Sequence, residues 1–258
     1  MLIAERHSRL QELLARKGMS DLETLSTELG VSQSTVRRDI EHLEQRDLVR
    51  RTHGGVVWIG EKNVPVRPYA FDQRLGDRVD SKQLIARAAR SLVQPGQTVL
   101  IDGGTTTFYL AQELLGLHLQ LVTNSLPIAN LFLDDDNIEL ILTGGLMYPR
   151  YGVLLGPMAE SSLEAIHTKT VFLSVAGIHE GTLYNQNLLL VQSEQRMMKQ
   201  AQQVILLVDS GKFGRQALAR LCRLDEIDVV VSDAGLSESF RQQVREAGCE
   251  LVIAEEEK

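Results

Sequence analysis

Two hydrophobic periodicities occupy this chain, and they meet at a short proline-bearing stretch. Up to residue 58, apolar side chains recur at helical spacing: Ile3, Leu10, Leu13 and Leu14; then Leu22, Leu25 and Leu29; then Val36, Ile40 and Leu43. From about residue 75, short apolar runs at 98–101, 119–123, 138–142, 170–175, 204–208, 228–231 and 251–254 read as strands. Helical patterns at 81–92, 106–115, 158–166, 191–202 and 237–247 lie between several of them. Strands alternating with helices predict a mostly parallel sheet covered on both faces. Gly60, Pro65, Pro68 and mixed charges make 59–74 read as a linker. A length of 258 residues accommodates two domains. The expected division is 1–58, a linker at 59–74, and an α/β domain at 75–258.

The first domain carries a helix-turn-helix pattern over residues 22–41. Gly18 stops the leading helix, and Ser20 or Asp21 caps the next. Leu25 and Leu29 face inward, and Ser26 is the small residue where the helices cross. Gly30 makes the turn, because a left-handed backbone is cheap only for glycine. Ser32 caps the second helix, so Ser32, Gln33, Ser34 and Thr35 stand at its exposed start, where a recognition helix meets the major groove. Gln33 suits adenine, and Arg37 and Arg38 suit guanine or phosphate. Residues 48–58 read as a hairpin turning at Gly54-Gly55, with Arg50, Arg51 and His53 forming a basic wing for backbone or minor-groove contact. Double-stranded DNA is the expected partner.

The charge balance argues against that partner only when averaged. The chain has 27 basic and 34 acidic side chains, a formal net charge of −7. The first 57 residues hold nine of each, so the acidic excess belongs wholly to the rest. Only two cysteines, Cys222 and Cys249, are present, which excludes a disulfide scaffold and suits a reducing cytoplasm; both are expected to be buried or inert. No secretory leader is read at the start, and the longest apolar run, 204–208, is far too short to span a bilayer. The six histidines show no metal-ligand spacing, and Asp134-Asp135-Asp136 reads as a solvated turn, so no metal or cofactor is expected. Glu255-Glu256-Glu257 reads as an acidic tail.

In the second domain, Asp102-Gly103-Gly104-Thr105-Thr106-Thr107 follows a strand and opens a helix. Glycine lets backbone N–H groups approach an anion, and a helix N-terminus favours negative charge. Further clusters follow other strands: Thr123-Asn124-Ser125, Thr143-Gly144-Gly145, Ala176-Gly177 and Asp209-Ser210-Gly211-Lys212. Ligands of open α/β sheets bind at the carboxyl ends of strands, so these clusters converge on one expected pocket. Lys82, Arg150 and Lys212 are the candidate cations for a phosphate.

The run Ser32-x-x-Thr35-Val36-Arg37-Arg38-Asp39-Ile40-x-x-Leu43-Glu44, followed by Arg51-Thr52-His53-Gly54-Gly55, resembles the N-terminal signature of the DeoR family of bacterial transcription regulators. The strand-end clusters of the second domain resemble the same family's effector domain, and the resemblance extends over essentially the whole chain. It implies a winged helix-turn-helix joined to a domain of the sugar-phosphate isomerase and CoA-transferase type. It also implies a repressor of a carbohydrate-utilisation operon, relieved by a phosphorylated sugar and acting as a homodimer or homotetramer. The effector lining then carries over as Asp102, Gly103 to Thr107, Asn124, Ser125, Gly144, Gly145 and Lys212. Two positions depart from the family pattern. Tyr148 stands where many members carry Arg, with Arg150 two residues on, and Leu190 stands where many carry Glu. Ser26 replaces a usual Ala.

The alternative is a sugar-phosphate isomerase with an accessory DNA-binding domain. Isomerisation needs a placed general base. Asp102 is the only acid clearly positioned, and Leu190 removes the other, so no catalytic residue is assigned and no enzymatic activity is expected.

Overall fold

A computed structural model describes residues 6–7, 9–11, 13–14, 19–45, 48–52, 55–58 and 71–255. Ile3, Gly18, His53, Gly54, residues 59–70 of the expected linker, and Glu256-Glu257 lie outside these. The chain divides into two compact units, Met1–Pro68 and Tyr69–Lys258.

In the first unit, helical residues between 6 and 14 precede β1 (Met19–Ser20), α1 (Leu22–Leu29), α2 (Gln33–Gln45), β2 (Val49–Thr52) and β3 (Gly55–Trp58). Asp21 caps α1, its Oδ1 accepting from Thr24 N at 2.8 Å. Gly30 then turns the chain at φ 65°, ψ 35°, a left-handed conformation that explains glycine there. Ser26 does more than fit the helix crossing: its hydroxyl donates to Val31 O at 2.5 Å and ties the turn together. Leu10, Leu14, Leu25, Leu29, Val36, Ile40, Leu43, Leu48, Val49 and Val56 make one core. The hairpin registers Val49 on Trp58 and Thr52 on Gly55. β1, which the sequence pattern does not predict, pairs antiparallel with β3, giving a three-stranded sheet in the order β1-β3-β2. Two residues are too short for a periodicity to register. This is a winged helix-turn-helix.

The second unit begins earlier than a linker over 59–74 allows. α3 (Phe71–Gly76) begins inside that range, with Phe71 buried and set edge-on against Phe108 at 5.5 Å. Then come α4 (Val79–Arg90), β4 (Thr98–Ile101), α5 (Thr105–Glu113), β5 (Leu119–Thr123), α6 (Leu126–Leu131), β6 (Ile138–Leu142), β7 (Leu146–Tyr148), β8 (Val153–Leu155) and α7 (Pro157–Glu164). β9 (Thr168–Leu173), β10 (Gly177–His179), β11 (Thr182–Asn185), α8 (Leu188–Lys199), β12 (Ala201–Leu207), β13 (Ala219–Arg223), β14 (Val229–Asp233), α9 (Glu238–Glu246) and β15 (Glu250–Ala254) complete it.

Seven strands form a parallel sheet in the order β15-β14-β12-β9-β4-β5-β6. One apolar core packs on each face, as a doubly covered sheet requires. From β4 the chain runs outward through β5 to β6, then returns to lay β9 on the other side of β4. The strand order therefore reverses between β4 and β9, and an open sheet leaves its crevice at such a reversal.

Truncating Leu25, fully buried in the first core, should destabilise that unit by about 2–5 kcal/mol. Native-state hydrogen exchange of α1 and α2 amides in Leu25→Ala, referenced to amides of the seven-stranded sheet, measures it.

Candidate functional site

The recognition helix presents a polar face. Gln33, Ser34, Arg37 and Arg38 are exposed on α2, while Val36, Asp39 and Ile40 are buried beneath them. Ser32 is a cap: Thr35 N donates to its Oγ at 3.3 Å, and its hydroxyl pairs with Ser34 and Thr35 at 2.8 and 2.9 Å. Asp39 is the residue of this helix to which the sequence alone assigns no role. Arg6 Nε and Nη2 donate to its carboxylate at 2.6 and 3.0 Å, and His7 Nε2 lies 2.9 Å away. Burial raises the Asp39 carboxyl, but the hydrogen bonds from Arg6 and His7 outweigh it and hold the group below its ordinary range. Asp39 thus locks α2 to the N-terminal helical residues. On the wing, Arg50 is exposed, whereas Arg51 folds back onto the recognition helix: Nε reaches Glu44 at 2.7 Å and Nη1 reaches Glu41 at 3.2 Å. Gly55 opens β3; His53 and Gly54 fall outside the described residues.

In the second unit a cavity of about 340 Å³ opens at the β4/β9 reversal, within the usual range for small-molecule sites. Its floor is the loop after β4. The Asp102 carboxylate accepts from Gly104 N and from Ser174 N, both at 3.2 Å, and so clips the end of β4 to the end of β9. Gly104 is required by the same approach, because a Cβ there would stand 1.7 Å from Ser174 Oγ. Burial pushes the Asp102 carboxyl up to about 6 against the pull of these hydrogen bonds.

Of the sequence-assigned effector residues, Asp102, Gly103, Gly104, Thr105, Thr106, Asn124 and Lys212 line this cavity. Thr107, Ser125, Gly144, Gly145 and Arg150 do not. Thr107 is fully buried, its hydroxyl donating to Asp102 O and Gly104 O at 2.9 Å each. Ser125 caps α6 through Ile128 N at 3.4 Å. Gly144 and Gly145 follow β6, the edge strand, two places from the reversal, and Gly145 backs onto β8. Arg150 stands 5.9 Å from the Tyr151 ring centroid. A convergence of all strand-end clusters is thus too broad an expectation; only clusters flanking the reversal meet.

The remaining cations come from α3, inside the expected linker, and from α4 and its start. Arg74 on α3 sits 4.5 Å from the Tyr151 ring centroid, and its Nε and Nη2 are buried without a hydrogen-bond partner. Lys82 on α4 is buried and donates to Arg74 O. Burial, then the nearby Lys212, pulls the Lys82 ammonium down to about 8; burial also lowers Lys212 and Arg74. Arg78, at the cavity mouth, holds φ 50°, ψ 46° and pairs with Asp209 at 3.2 Å. A non-glycine residue in that conformation is strained, and such strain gathers at ligand clamps.

The opposite wall comes from β8, β11 and α8. Tyr148, where the family often has Arg, stacks on Tyr151 at 5.6 Å and accepts from Asn187 Nδ2 at 3.0 Å. Leu190 lines the cavity, and one turn later Glu194 lines it too. The carboxylate absent at 190 is present at 194. Burial, then the Asp102 charge, pushes Glu194 up to about 8. A carboxyl inside the buried stripe Leu190, Val191, Glu194, Met197 is the sequence signal for it. The two cysteines are free and buried, with burial raising Cys222 to about 12 and Cys249 to about 11, and no metal-binding cluster occurs among the described residues. No helix among them is long and apolar enough to cross a membrane.

A winged helix-turn-helix joined to an α/β unit with a strand-end cavity defines a ligand-responsive transcription regulator. Residues 6–62 match the DeoR-like helix-turn-helix domain, and residues 77–234 match the DeoR C terminal sensor domain. The chain belongs to the DeoR family and is a DNA-binding transcriptional regulator with a C-terminal sensor domain. It is 33% identical to the HTH-type transcriptional regulator UlaR of Shigella sonnei over 98% of this chain and 99% of that protein. It is 32% identical to the HTH-type transcriptional regulator YulB of Bacillus subtilis over 92% of this chain and 91% of that one. Among solved structures, ribose 5-phosphate isomerase A from Methanocaldococcus jannaschii is 19% identical, covering 53% of this chain and 55% of its own, with a TM-score of 0.39.

The buried acids set a pH dependence. Between the ordinary carboxylate value of 4.5 and about 8, folded Glu194 keeps its proton while the unfolded side chain loses it. The folded state then binds more protons, so stability is greatest below that window and falls as pH rises through it. Asp102 adds a smaller decline of the same sign up to about pH 6. Thermal unfolding from about pH 5 to pH 9 should show Glu194→Gln losing on the order of a few kcal/mol less than the parent chain.

Proposed function

We propose that this regulator represses a carbohydrate-utilisation operon and releases its operator when a phosphorylated sugar enters the β4/β9 cavity. The observation that carries the reading is the buried, hydrogen-bond-deficient Arg74 guanidinium beside Lys82 and Lys212. Each of these cations is disfavoured by burial, and they disfavour one another, so a dianion among them relieves both costs. The N-terminus of α5 adds backbone donors to the same place. Two further polar groups of the lining, Asn124 and Glu194, suit hydroxyls rather than an apolar body.

The switch needs the effector to bind one arrangement of the sensor unit better than the other, and its size is bounded by that difference in affinity. The protein acts in the cytoplasm as a homodimer or homotetramer, because one helix-turn-helix module covers too few base pairs for operator selectivity. Ser32, Gln33, Ser34, Arg37, Arg38 and Arg50 are exposed candidates for DNA contact. Arg51 reaches DNA only by leaving Glu41 and Glu44.

One observation favours an isomerase: two buried acids with raised protonation in one cavity are common in acid–base catalysis. Against it, both Asp102 oxygens are taken by backbone N–H groups, which suits a structural clip better than a base. Turnover of pentose or hexose phosphates by the purified chain would reinstate the enzyme reading; none is expected.

Fluorescence anisotropy on promoter DNA tests the regulator reading. Arg37→Ala and Arg38→Ala should each weaken binding by about 1–3 kcal/mol if they read a base, or flatten the salt dependence by about one phosphate contact if they do not. Phosphorylated sugars should lower operator affinity and free sugars should not. In Arg74→Gln the response should need at least about 10-fold more ligand, as expected when a charge-assisted hydrogen bond is lost. An operator affinity indifferent to every sugar phosphate defeats the effector assignment.

A further inference from the structure

Glu194 is a cavity-lining acid with half its hydrogen-bonding capacity unused. It is 5% exposed, and Asn185 Nδ2 donates to its Oε1 at 2.6 Å, while Oε2 is buried with no partner. Asn185 has nothing more to offer, since its Oδ1 already accepts from Ala176 N at 3.0 Å and its Nδ2 also reaches Ser174 O at 3.4 Å. Asn124 Oδ1, also on the cavity wall, is a second buried oxygen without a partner. Buried oxygens left unpaired are costly, so a ligand that satisfies them gains what the empty site lacks.

The two ends of the cavity differ in sign. Arg74, Lys82 and Lys212 sense one another's charge, with Asp77 and Asp209 offsetting part of it at the two lysines. The charge that acts on Glu194 is instead the Asp102 carboxylate. A phosphate is favoured among the three cations, and the unpaired Glu194 Oε2 is left for the rest of the ligand. This fixes the orientation of any phosphorylated ligand and the chemistry of its far end.

Building on the phosphorylated-sugar reading, we propose that Glu194 is the specificity-determining residue of the cavity. Its free Oε2 pairs with a hydroxyl on the uncharged end of a polyol phosphate. The selectivity follows from geometry. A hydroxyl both donates and accepts, so it can exchange a hydrogen bond with Glu194 whether or not that carboxyl holds its proton, whereas a phosphate without a polyol chain brings no such group. Leu190 takes no part in polar recognition and leaves this task to the residue one turn further along α8.

Calorimetric titration of the full-length protein with four probes tests this: inorganic phosphate, D-ribose 5-phosphate, D-fructose 6-phosphate and 6-phosphogluconate. The parent chain should bind at least one hydroxyl-ended sugar phosphate at least about 10-fold more tightly than inorganic phosphate. In Glu194→Leu the advantage of the sugar phosphate over inorganic phosphate should collapse toward one. Glu194→Gln, an isostere that keeps a donor and an acceptor, should retain much of that advantage. A cooperative thermal transition in Glu194→Gln establishes that this variant is folded. Phosphate binding with no sugar preference in the parent, or preferences unchanged in both variants, overturns the Glu194 assignment while leaving the anion site standing. Failure of all four probes overturns the anion reading and this assignment with it.

Discussion

The sensor unit depends on one clip. Asp102 ends β4, and its carboxylate reaches across to the Ser174 amide that ends β9 while also holding the Gly104 amide of its own loop. β4 and β9 pair directly from Val99 on Thr170 to Ile101 on Phe172, and the Asp102 carboxylate carries that join past the last paired residues. The clip joins them and leaves the crevice above. Through it the α5 N-terminus, the cations of α3 and α4, and the acid wall of α8 all face one small volume.

That volume is electrically polarised. Three cations crowd one side, where burial has already weakened their hold on their protons. Asp102 and Glu194 line the same cavity, and burial has strengthened their hold on protons. A ligand anionic at one end and hydroxylated at the other, as proposed above, would relieve both. The strained Arg78, whose guanidinium pairs with Asp209 at the mouth, fits the same pattern of strain stored where a ligand is held.

Much of this is legible in the sequence. The helix-turn-helix can be placed from Leu25, Leu29, Gly30, Val36 and Ile40, because a helix period and a left-handed glycine leave few alternatives. The seven parallel strands stand out as short apolar runs. The parts that stay hidden do so for physical reasons. β1 and the small strands β7, β8, β10 and β11 are too short for periodicity and exist through tertiary pairing. Gly60, Pro65 and Pro68 mask the Phe71 anchor that makes 71–76 a helix, and with it Arg74. Gly144, Gly145 and Arg150 look equivalent to the other strand-end residues because a sequence shows that a strand ends, not which strand lies beside it. The carboxylate missing at Leu190 is present a turn away, and only the helix's buried face reveals that 190 and 194 look the same way.

The crevice clipped by Asp102 is the place where the effector should act. Hydrogen–deuterium exchange of the full-length protein, with and without a saturating sugar phosphate, tests this most directly. Slowed exchange concentrated at the amides of 103–107 and at Ser174, with the amides of 144–146 unaffected, is the predicted result. Protection confined to the β6 edge or elsewhere, with 103–107 unchanged, would contradict it.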